Sequence, residues 1–505
     1  MKKQMRYLLI ISYLVVFSAF SAGSARAGSV KPSKGVKFAS PELVRLDQSQ
    51  LALEWNKGFL AVYDTLIKNL HMPNRSFKTR YAYPSPIFMG VYLWDSSFIA
   101  QVWKPWDSKA AEDVLLAVLD NAAPDGRLKH FVSPYDKSDL TQPPVIAWST
   151  WSLYDWSGDM DFLAHAYPVL KNYNQWLYQN RRLPCGLFFW KHSYESGIDN
   201  SPRFVTTDEK PVLDVQKLAA IDLNSYVFQQ NVLLAKMAET LGKNSEAGEF
   251  KKNADDLEAL INAQLWDEQT GLYYDRNMET NQLVKIKTIA SLIPLFCGAP
   301  DAAKAKRLRE HAMNPAEFNT YFPLPSVARN DKTFEKDCWR GPVWINTAYM
   351  AVMGLKNYGY EDDAADLAWK LADGVYKNYA VTGQLVEFYD PDHPGFQDLH
   401  RKRGNLYKQI TLGGKPQPNF VGWTGLVNTL VIENLIGFHK EQGKRFIQPR
   451  FPAVAKGASF KLDLPAEAIV IEITVQDSGK TRGKITIDGK IKEFSLQRGE
   501  QINLP

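Results

Sequence analysis

Cysteine is nearly missing. Cys185, Cys297 and Cys338 are the only three in 505 residues, an odd and scattered set that excludes a disulfide framework and reads as mostly buried thiols. Histidine is sparse too, with 8 in the chain, and there is no H-E-x-x-H, C-x-x-C or EF-hand loop, so no dedicated zinc or calcium site is expected. The G-x-S-x-G, P-loop and G-x-G-x-x-G patterns are also lacking, which removes the commonest nucleophile elbow and the usual nucleotide cradles. No cofactor is therefore expected. The stretch "YDPDHPG" (389–395) offers Asp390 and Asp392 to a cation, but a proline-rich turn is the better reading.

Long apolar runs are lacking after the first residues. Lys2, Lys3 and Arg6 precede an apolar run from Leu8 to about Phe20 and a small-residue stretch ending in Ala25-x-Ala27, the pattern of a secretory signal peptide over 1–27, followed by a linker over 28–40. No other run reaches the roughly 18 apolar residues of a membrane span. The expected mature protein is exported, to periplasm or medium, with no membrane partner. An excess of charge is lacking as well. Of the formal +5, the leader supplies four cations, Lys2, Lys3, Arg6 and Arg26, against no acid, leaving the remainder at +1, which argues against nucleic acid as a partner.

What the chain has is apolar and aromatic content: 45% hydrophobic residues, 12% aromatic and 14 Trp, more indole than a core ordinarily needs. From 41 to 444 the apolar residues recur at helical spacing, as in "AAEDVLLAVLDNA" (110–122) and "EDDAADLAWKLADGVYKNY" (361–379). About a dozen such segments follow one another. Uncharged helices such as "GPVWINTAYMAVMGL" (341–355) alternate with charged ones, the pattern that a double ring of inner and outer helices requires. After 445 the period changes to two, with "SFKLDL", "AIVIEITV", "KITI" and "KIKEFSL" and an Asp488-Gly489 turn. This predicts a small antiparallel β-sandwich-like module over 445–505, too small to be stable by itself.

Chemistry-bearing residues gather in segments at helix ends: "GVYLWDSSFIAQVW" (90–103), "TQPPVIAW" (141–148), "GLFFWKHSYESGIDNSPRF" (186–204), "KDCWRGPVWINTAYM" (336–350), "GQLVEFYDPDHPG" (383–395) and "NFVGWTGLV" (419–427). Each alone has a structural explanation. Asp95 or Asp199 suits a cap, Trp94 or Trp344 a core position, and Arg340 an ion pair.

Together, "ESGIDNSPR", the later "VEFYDP" and "GWT" resemble glycoside hydrolase family 63, inverting glycosidases on an (α/α)6 barrel that include processing α-glucosidases and mannosylglycerate and glucosylglycerate hydrolases, with trehalases as relatives. The resemblance covers roughly 80–440, with the motifs in the family's order. It implies an all-α (α/α)6 barrel over 41–444, Asp199 as general acid and Glu387 as general base. It also implies Trp94, Asp95, Gln142, Asn200, Trp339, Arg340, Trp344 and Trp423 around the bound sugar. The expected reaction is hydrolysis of a terminal α-linked glucose from an oligosaccharide or glycoside; the oligomeric state is left open. A non-catalytic carbohydrate-binding protein, or an epimerase or lyase using His192 and Tyr194, stands as the alternative.

Inversion needs one carboxylic acid to protonate the leaving oxygen and one carboxylate to activate water, roughly 6.5 to 9.5 Å apart. Phe188, Phe189, Trp190 and Tyr194 are expected to raise the pKa of Asp199 by apolar surroundings, Pro202 to stiffen its loop, and Arg340 to keep Glu387 ionised or to clamp sugar hydroxyls. Two departures from the family pattern stand out. Ile198 replaces a Trp common in relatives. The segment 396–420, with His400, Arg401, Lys402 and Arg403, reads as a solvated loop, or alternatively as a lid that selects an aglycone, including an acidic one.

Overall fold

The computed structural model describes residues 39–47, 49–133 and 139–505. The predicted signal peptide lies outside the described residues, as does most of the linker. Among the described residues there are thirteen α-helices: α1 (Gln50–Lys68), α2 (Leu93–Trp103), α3 (Ser108–Leu119), α4 (Ile146–Ser157), α5 (Met160–Asn180), α6 (Ile221–Thr240), α7 (Asn244–Gln264), α8 (Ile293–Cys297), α9 (Ala302–Ala312), α10 (Ile345–Asn357), α11 (Glu361–Thr382), α12 (Leu406–Leu412) and α13 (Leu426–Thr429), the last continuing as a π-helix, Leu430–Leu435. No described helix is long and apolar enough to cross a membrane.

Local chemistry starts and stops these helices. Ser49, Asp107, Asp159 and Asp301 each accept a backbone N–H from the first turn of α1, α3, α5 and α9, satisfying a donor that the helix itself leaves free. Gly158 and Gly383 end α4 and α11 in the left-handed conformation, which costs glycine nothing.

Burial sorts the helices into two sets. Every residue of α2 is buried, and nearly every residue of α10, as expected of helices surrounded on all sides. The buried set packs in chain order, α2 on α4, α4 on α6, α6 on α8, α8 on α10 and α10 on α13, and α13 returns onto α2. Behind them α3, α5, α7 and α11 back α2, α4, α6 and α10, while α1 lies along α11. The segments that enter the N-termini of the buried set (70–92, 139–145, 181–220, 265–292, 313–344 and 383–425) therefore lead toward one end of the bundle.

The described chain is not purely helical before 445. Two- and three-residue antiparallel pairs fasten these loops, among them Val91–Tyr92 on Phe131–Val132, because the loops carry backbone polar groups that must be paired where they are buried. Toward the C-terminus, β2 (Phe438–Glu441), β3 (Lys444–Ile447) and β8 (Ile502–Leu504) form one antiparallel sheet. The other sheet contains β4 (Ser459–Leu464), β5 (Ile469–Val475), β6 (Thr481–Ile487) and β7 (Lys490–Leu496), and takes its edge strand β1 (Glu42–Arg45) from the other end of the chain, Leu43 opposite Leu462. In β4 and β5 alternate residues are buried, as period two requires.

Trp55 of α1 joins the two parts. It is fully buried, with its ring 4.6 Å from Trp369, 5.3 Å from Tyr376 and 5.8 Å from Phe460 of β4, and the Arg45 guanidinium lies over it at 5.8 Å. Trp55→Ala removes a large buried ring at the junction, where the cost is about 3–5 kcal/mol. The expected outcome is a lower urea midpoint and a sheet that becomes protease-sensitive before the helices do, read by limited proteolysis.

Candidate active site

The loop carrying Asp199 is held on both sides by buried ion pairs. Before it, Glu195 is fully buried and chelated by Arg181, Nε at 2.9 Å and Nη2 at 2.5 Å, and also accepts the backbone N–H groups of Thr141 and Lys191. After it, Arg203 reaches Asp222 at the start of α6 and spans both oxygens of Asp275 at 2.8 and 3.0 Å. Burying such charges is costly unless every one is paired, so these pairs fix the loop more than they stabilise the fold. The acidic residue of "YESG" is thus a structural brace.

Gly197 closes the approach to Asp199. Its φ is +70°, and a Cβ there would stand 2.4 Å from Trp94 Cζ2, so neither the backbone nor the indole tolerates a side chain. Asn200 is buried and accepts the Trp339 N–H at 2.9 Å, while its carbonyl accepts from Arg340 Nη1 at 3.3 Å. Its Nδ2 has no hydrogen-bond partner among the described residues.

The four predicted tryptophans do form one cluster. Trp339 and Trp344 stack at 3.8 Å and 5°, and Trp423 stands edge-on to Trp344 at 5.4 Å and to Trp94 at 5.5 Å. Trp423 Nε1 donates to the Glu387 carbonyl and Trp344 Nε1 to that of Cys338. Gln142 uses its side-chain oxygen to accept the Trp94 N–H, capping the start of α2. Each of these residues precedes or begins a buried helix, so the N-terminal ends of those helices, which carry partial positive charge, surround the cluster.

Glu387 lies at a bend between the isolated bridges of Val386 and Tyr389, its N–H bonded to the Gln417 carbonyl and its carboxylate accepting the Gln417 N–H. Its carboxylate is clamped by Arg401, Nε at 2.9 Å and Nη2 at 3.2 Å. Arg340 is not its partner. That guanidinium is directed to Glu335 and to the Asn200 and Val205 carbonyls, because Asn200 and Arg340 come from loops bonded to each other, and there it braces the Asp199 loop.

The segment 396–420 is not a solvated loop where it matters. Arg401 and Lys402 are buried. Lys402 Nζ stands 3.0 Å from Asp199 Oδ2 and 2.9 Å from Glu209 Oε1. Asn405 donates to the other Glu209 oxygen at 2.6 Å, and Arg403 N–H to Asp337. Arg403 is exposed, as are Leu406 and Ile410, so the segment is solvated in part and buried at Arg401 and Lys402.

These cations reverse the expected electrostatics of Asp199. Burial pushes its pKa up, but the charge and hydrogen bond of Lys402, with Lys408 behind it, outweigh burial and hold the carboxyl below its ordinary value. Phe188 and Trp190 are engaged elsewhere, against Tyr178 and on Asp222. Of the aromatic residues expected around the acid, Tyr194 is the one that faces the charged groups, with Lys402 and Lys408 over its ring at 4.9 and 5.1 Å. Burial, then the charge of Lys402, brings Lys408 down to about 8. Asp95 is the carboxyl driven up: it is buried, and the charges of Glu387 and Asp199 add to the effect. Three carboxyl groups from distant parts of the chain thus interact in one place.

Sequence reasoning missed Arg401, Lys402 and Glu209. The cationic run at 400–403 was the available signal, and nothing local distinguishes a buried run from a solvated one. Asp390 and Asp392 hold Lys336 Nζ, at 2.9 Å each, so the turn is closed by the protein's own cation. The three cysteines are unpaired, Cys297 and Cys338 buried and Cys185 half-buried.

Residues 89–400 match the family described as the mannosylglycerate hydrolase MGH1-like glycoside hydrolase domain. A mannosylglycerate hydrolase of Thermus thermophilus is 28% identical over 377 residues, covering 59% of this chain and 88% of that protein. The crystal structure of a GH63 mannosylglycerate hydrolase from another strain of Thermus thermophilus, in complex with Tris and D-glycerate, has a TM-score of 0.59 at 25% identity, over 74% of this chain and 99% of that one. Periplasmic trehalase of Escherichia coli is 28% identical over 206 residues, 40% of this chain and 35% of the trehalase, so the match spans about a third of that enzyme's length.

Gly197→Ala should cost at least about 1–2 kcal/mol through its φ alone and displace the Trp94 indole. The expected outcome is an altered near-ultraviolet circular dichroism spectrum with the far-ultraviolet spectrum preserved.

Proposed function

This chain belongs to the mannosylglycerate hydrolase MGH1-like glycoside hydrolases, and from that premise we propose that it is an inverting exo-α-glycosidase in which Asp199 protonates the leaving oxygen and Glu387 activates the attacking water. The observation that carries this reading is geometric. The consecutive residues Arg401 and Lys402 hold Glu387 and Asp199, 188 positions apart, at 2.9 and 3.0 Å, and Trp423 of the tryptophan cluster is bonded to the Glu387 carbonyl. Asp199 is bonded to a lysine and Glu387 is clamped by an arginine, an asymmetry suited to one group that gives up a proton and one that stays ionised. The ring of helices supports the (α/α)6 architecture for the part before 445, with the sheets as a second module packed on it.

The substrate we favour is a terminal α-linked glucose. In the mechanism the acid stands between the cleaved sugar and its leaving group, so Lys408, whose charge acts on Asp199, lies on the aglycone side. A cation there favours a small acidic aglycone over a neutral sugar, in keeping with the D-glycerate bound by the Thermus enzyme. The buried Asn200 Nδ2 is a donor left for a sugar hydroxyl. The leader read at 1–27 makes the enzyme an exported one in this reading.

A proton NMR time course with glucosylglycerate, mannosylglycerate, trehalose, kojibiose and nigerose tests the proposal. β-Glucose should appear first, and fastest from glucosylglycerate; α-glucose first would sink the inverting mechanism. Asp199→Asn and Glu387→Gln should each lose at least about 100-fold in kcat with binding retained, since neither change removes the aromatic walls.

A further inference from the structure

The proposed mechanism leaves a difficulty at Asp199. A general acid must carry a proton, yet Lys402 is bonded to it in the closed site, and a buried ammonium favours the ionised carboxylate. If Lys402 had no other counterion, protonating Asp199 would leave an uncompensated buried cation, a state that is strongly disfavoured.

The structure supplies the second counterion. Lys402 Nζ is almost equidistant from two carboxylates, 3.0 Å from Asp199 and 2.9 Å from Glu209. The Lys402 side chain is 2% exposed and that of Glu209 11%, whereas that of Asp199 is 32% exposed, so Asp199 is the member of the trio open to a ligand. Both outer partners are held in place. Glu209 accepts from Asn405 at 2.6 Å, and Lys402 sits under the Tyr194 ring. Both are also non-glycine residues in the left-handed region, φ +60° at Glu209 and +55° at Lys402, a conformation that strains any residue with a Cβ. A surface ion pair would not justify that strain twice.

We propose that Glu209 and Lys402 are a positioning pair for general acid catalysis: Glu209 alone neutralises Lys402 whenever Asp199 carries its proton. The inference rests on Asp199 being the acid. The step balances: Asp199 takes one proton from solvent, the Lys402–Asp199 bond gives way, Lys402 stays charged on Glu209, and after transfer to the leaving oxygen the ionised Asp199 regains the shared ammonium. Other charged or titratable groups face Asp199 as well. His192 and Tyr194 come from its own loop, Arg401 and Lys408 from the segment that carries Lys402, and Asp95 and His130 from other parts of the site. They remain in place in the variants below, so differences among those variants report the pair.

The two members act on Asp199 with opposite sign. In Lys402→Met the acid loses its cation and its pKa rises, so the alkaline limb of kcat/KM moves to higher pH. In Glu209→Gln the ammonium is left with Asp199 as its one strong counterion, so the acid's pKa falls, the limb moves to lower pH, and activity at neutral pH drops. Each shift should be about one to three pH units. The double variant should return activity above that of Glu209→Gln, because no unpaired ammonium remains.

The measurement is the kcat/KM pH profile of the purified full-length enzyme and the three variants on the best α-glucoside, repeated with α-glucosyl fluoride, whose leaving group needs no protonation. The expected result is limbs that split in opposite directions on the glucoside, rescue by the double variant, and no split on the fluoride. Limbs that stay together or move the same way overturn the positioning pair, and so does a split that persists on the fluoride. Asp199→Asn separates the two levels: if it stays active on the glucoside, the acid assignment itself fails, whereas an inactive Asp199→Asn with unsplit limbs overturns the pair alone.

Discussion

Crowding of negative charge governs this site. Asp95, Asp199, Glu209 and Glu387 converge from four segments of the chain, and like charges at such range repel by several kcal/mol unless they are neutralised or protonated. Each is dealt with differently. Arg401 clamps Glu387 through two nitrogens, Lys402 is divided between Asp199 and Glu209, and Asp95 has burial and two like charges against its ionised form. Remove the segment at 401–402 and three carboxylates lose their cations together. Two consecutive residues, Arg401 and Lys402, therefore hold Glu387 and Asp199 in one arrangement although these are far apart in sequence.

That arrangement depends on anchors that never meet the cavity. The Arg181–Glu195 pair and the Arg203–Asp222–Asp275 cluster fasten the Asp199 loop to the ends of α5 and α6. The Asn200 bonds tie the same loop to the segment before α10, and Trp423 ties the segment before α13 to the Glu387 backbone. Since the buried helices pack in a closed sequence, each anchor transmits the register of the bundle to its loop. A site placed to within about half an ångström needs rigid elements and supporting bonds of this kind.

Much of this was legible in the sequence. Helical periodicity from 41 to 444 gave the buried and half-buried helices, because a 3.6-residue apolar stripe is a direct record of burial. The change to period two gave β4 to β7 for the same reason. The partner of β4 was not legible: Glu42–Arg45 is four residues long and lies more than 400 positions away from it, and strand pairing at that distance leaves no local trace. Trp94, Trp339, Trp344 and Trp423 were named together because the resemblance to glycoside hydrolase family 63 implied them around the sugar, each alone being equally suited to a core. Arg340 was assigned the wrong partner and the 400–403 run the wrong environment by the same failure. A cation's sequence states its charge but not which carboxylate the fold will bring to it, and Glu335 and Glu387 are equally acidic as letters in a chain.

The three carboxyl groups near the indoles separate by environment, and that separation carries chemical meaning. Asp95 has no cation bonded to it among the described residues, and burial drives its pKa well above the ordinary carboxylate value, so it holds a proton more readily than Asp199 does. A neutral carboxyl can both donate and accept a hydrogen bond, whereas an ionised one can only accept. Asp199 is shifted the opposite way, held below its ordinary value by an ammonium that has an alternative counterion in Glu209. The site thus contains one carboxyl raised by burial and like charge, Asp95, and one lowered by a shared ammonium, Asp199. Burial sets the direction at Asp95 and the Lys402 ammonium sets it at Asp199, so the enclosure of the site and the 401–402 dipeptide act on different carboxyls.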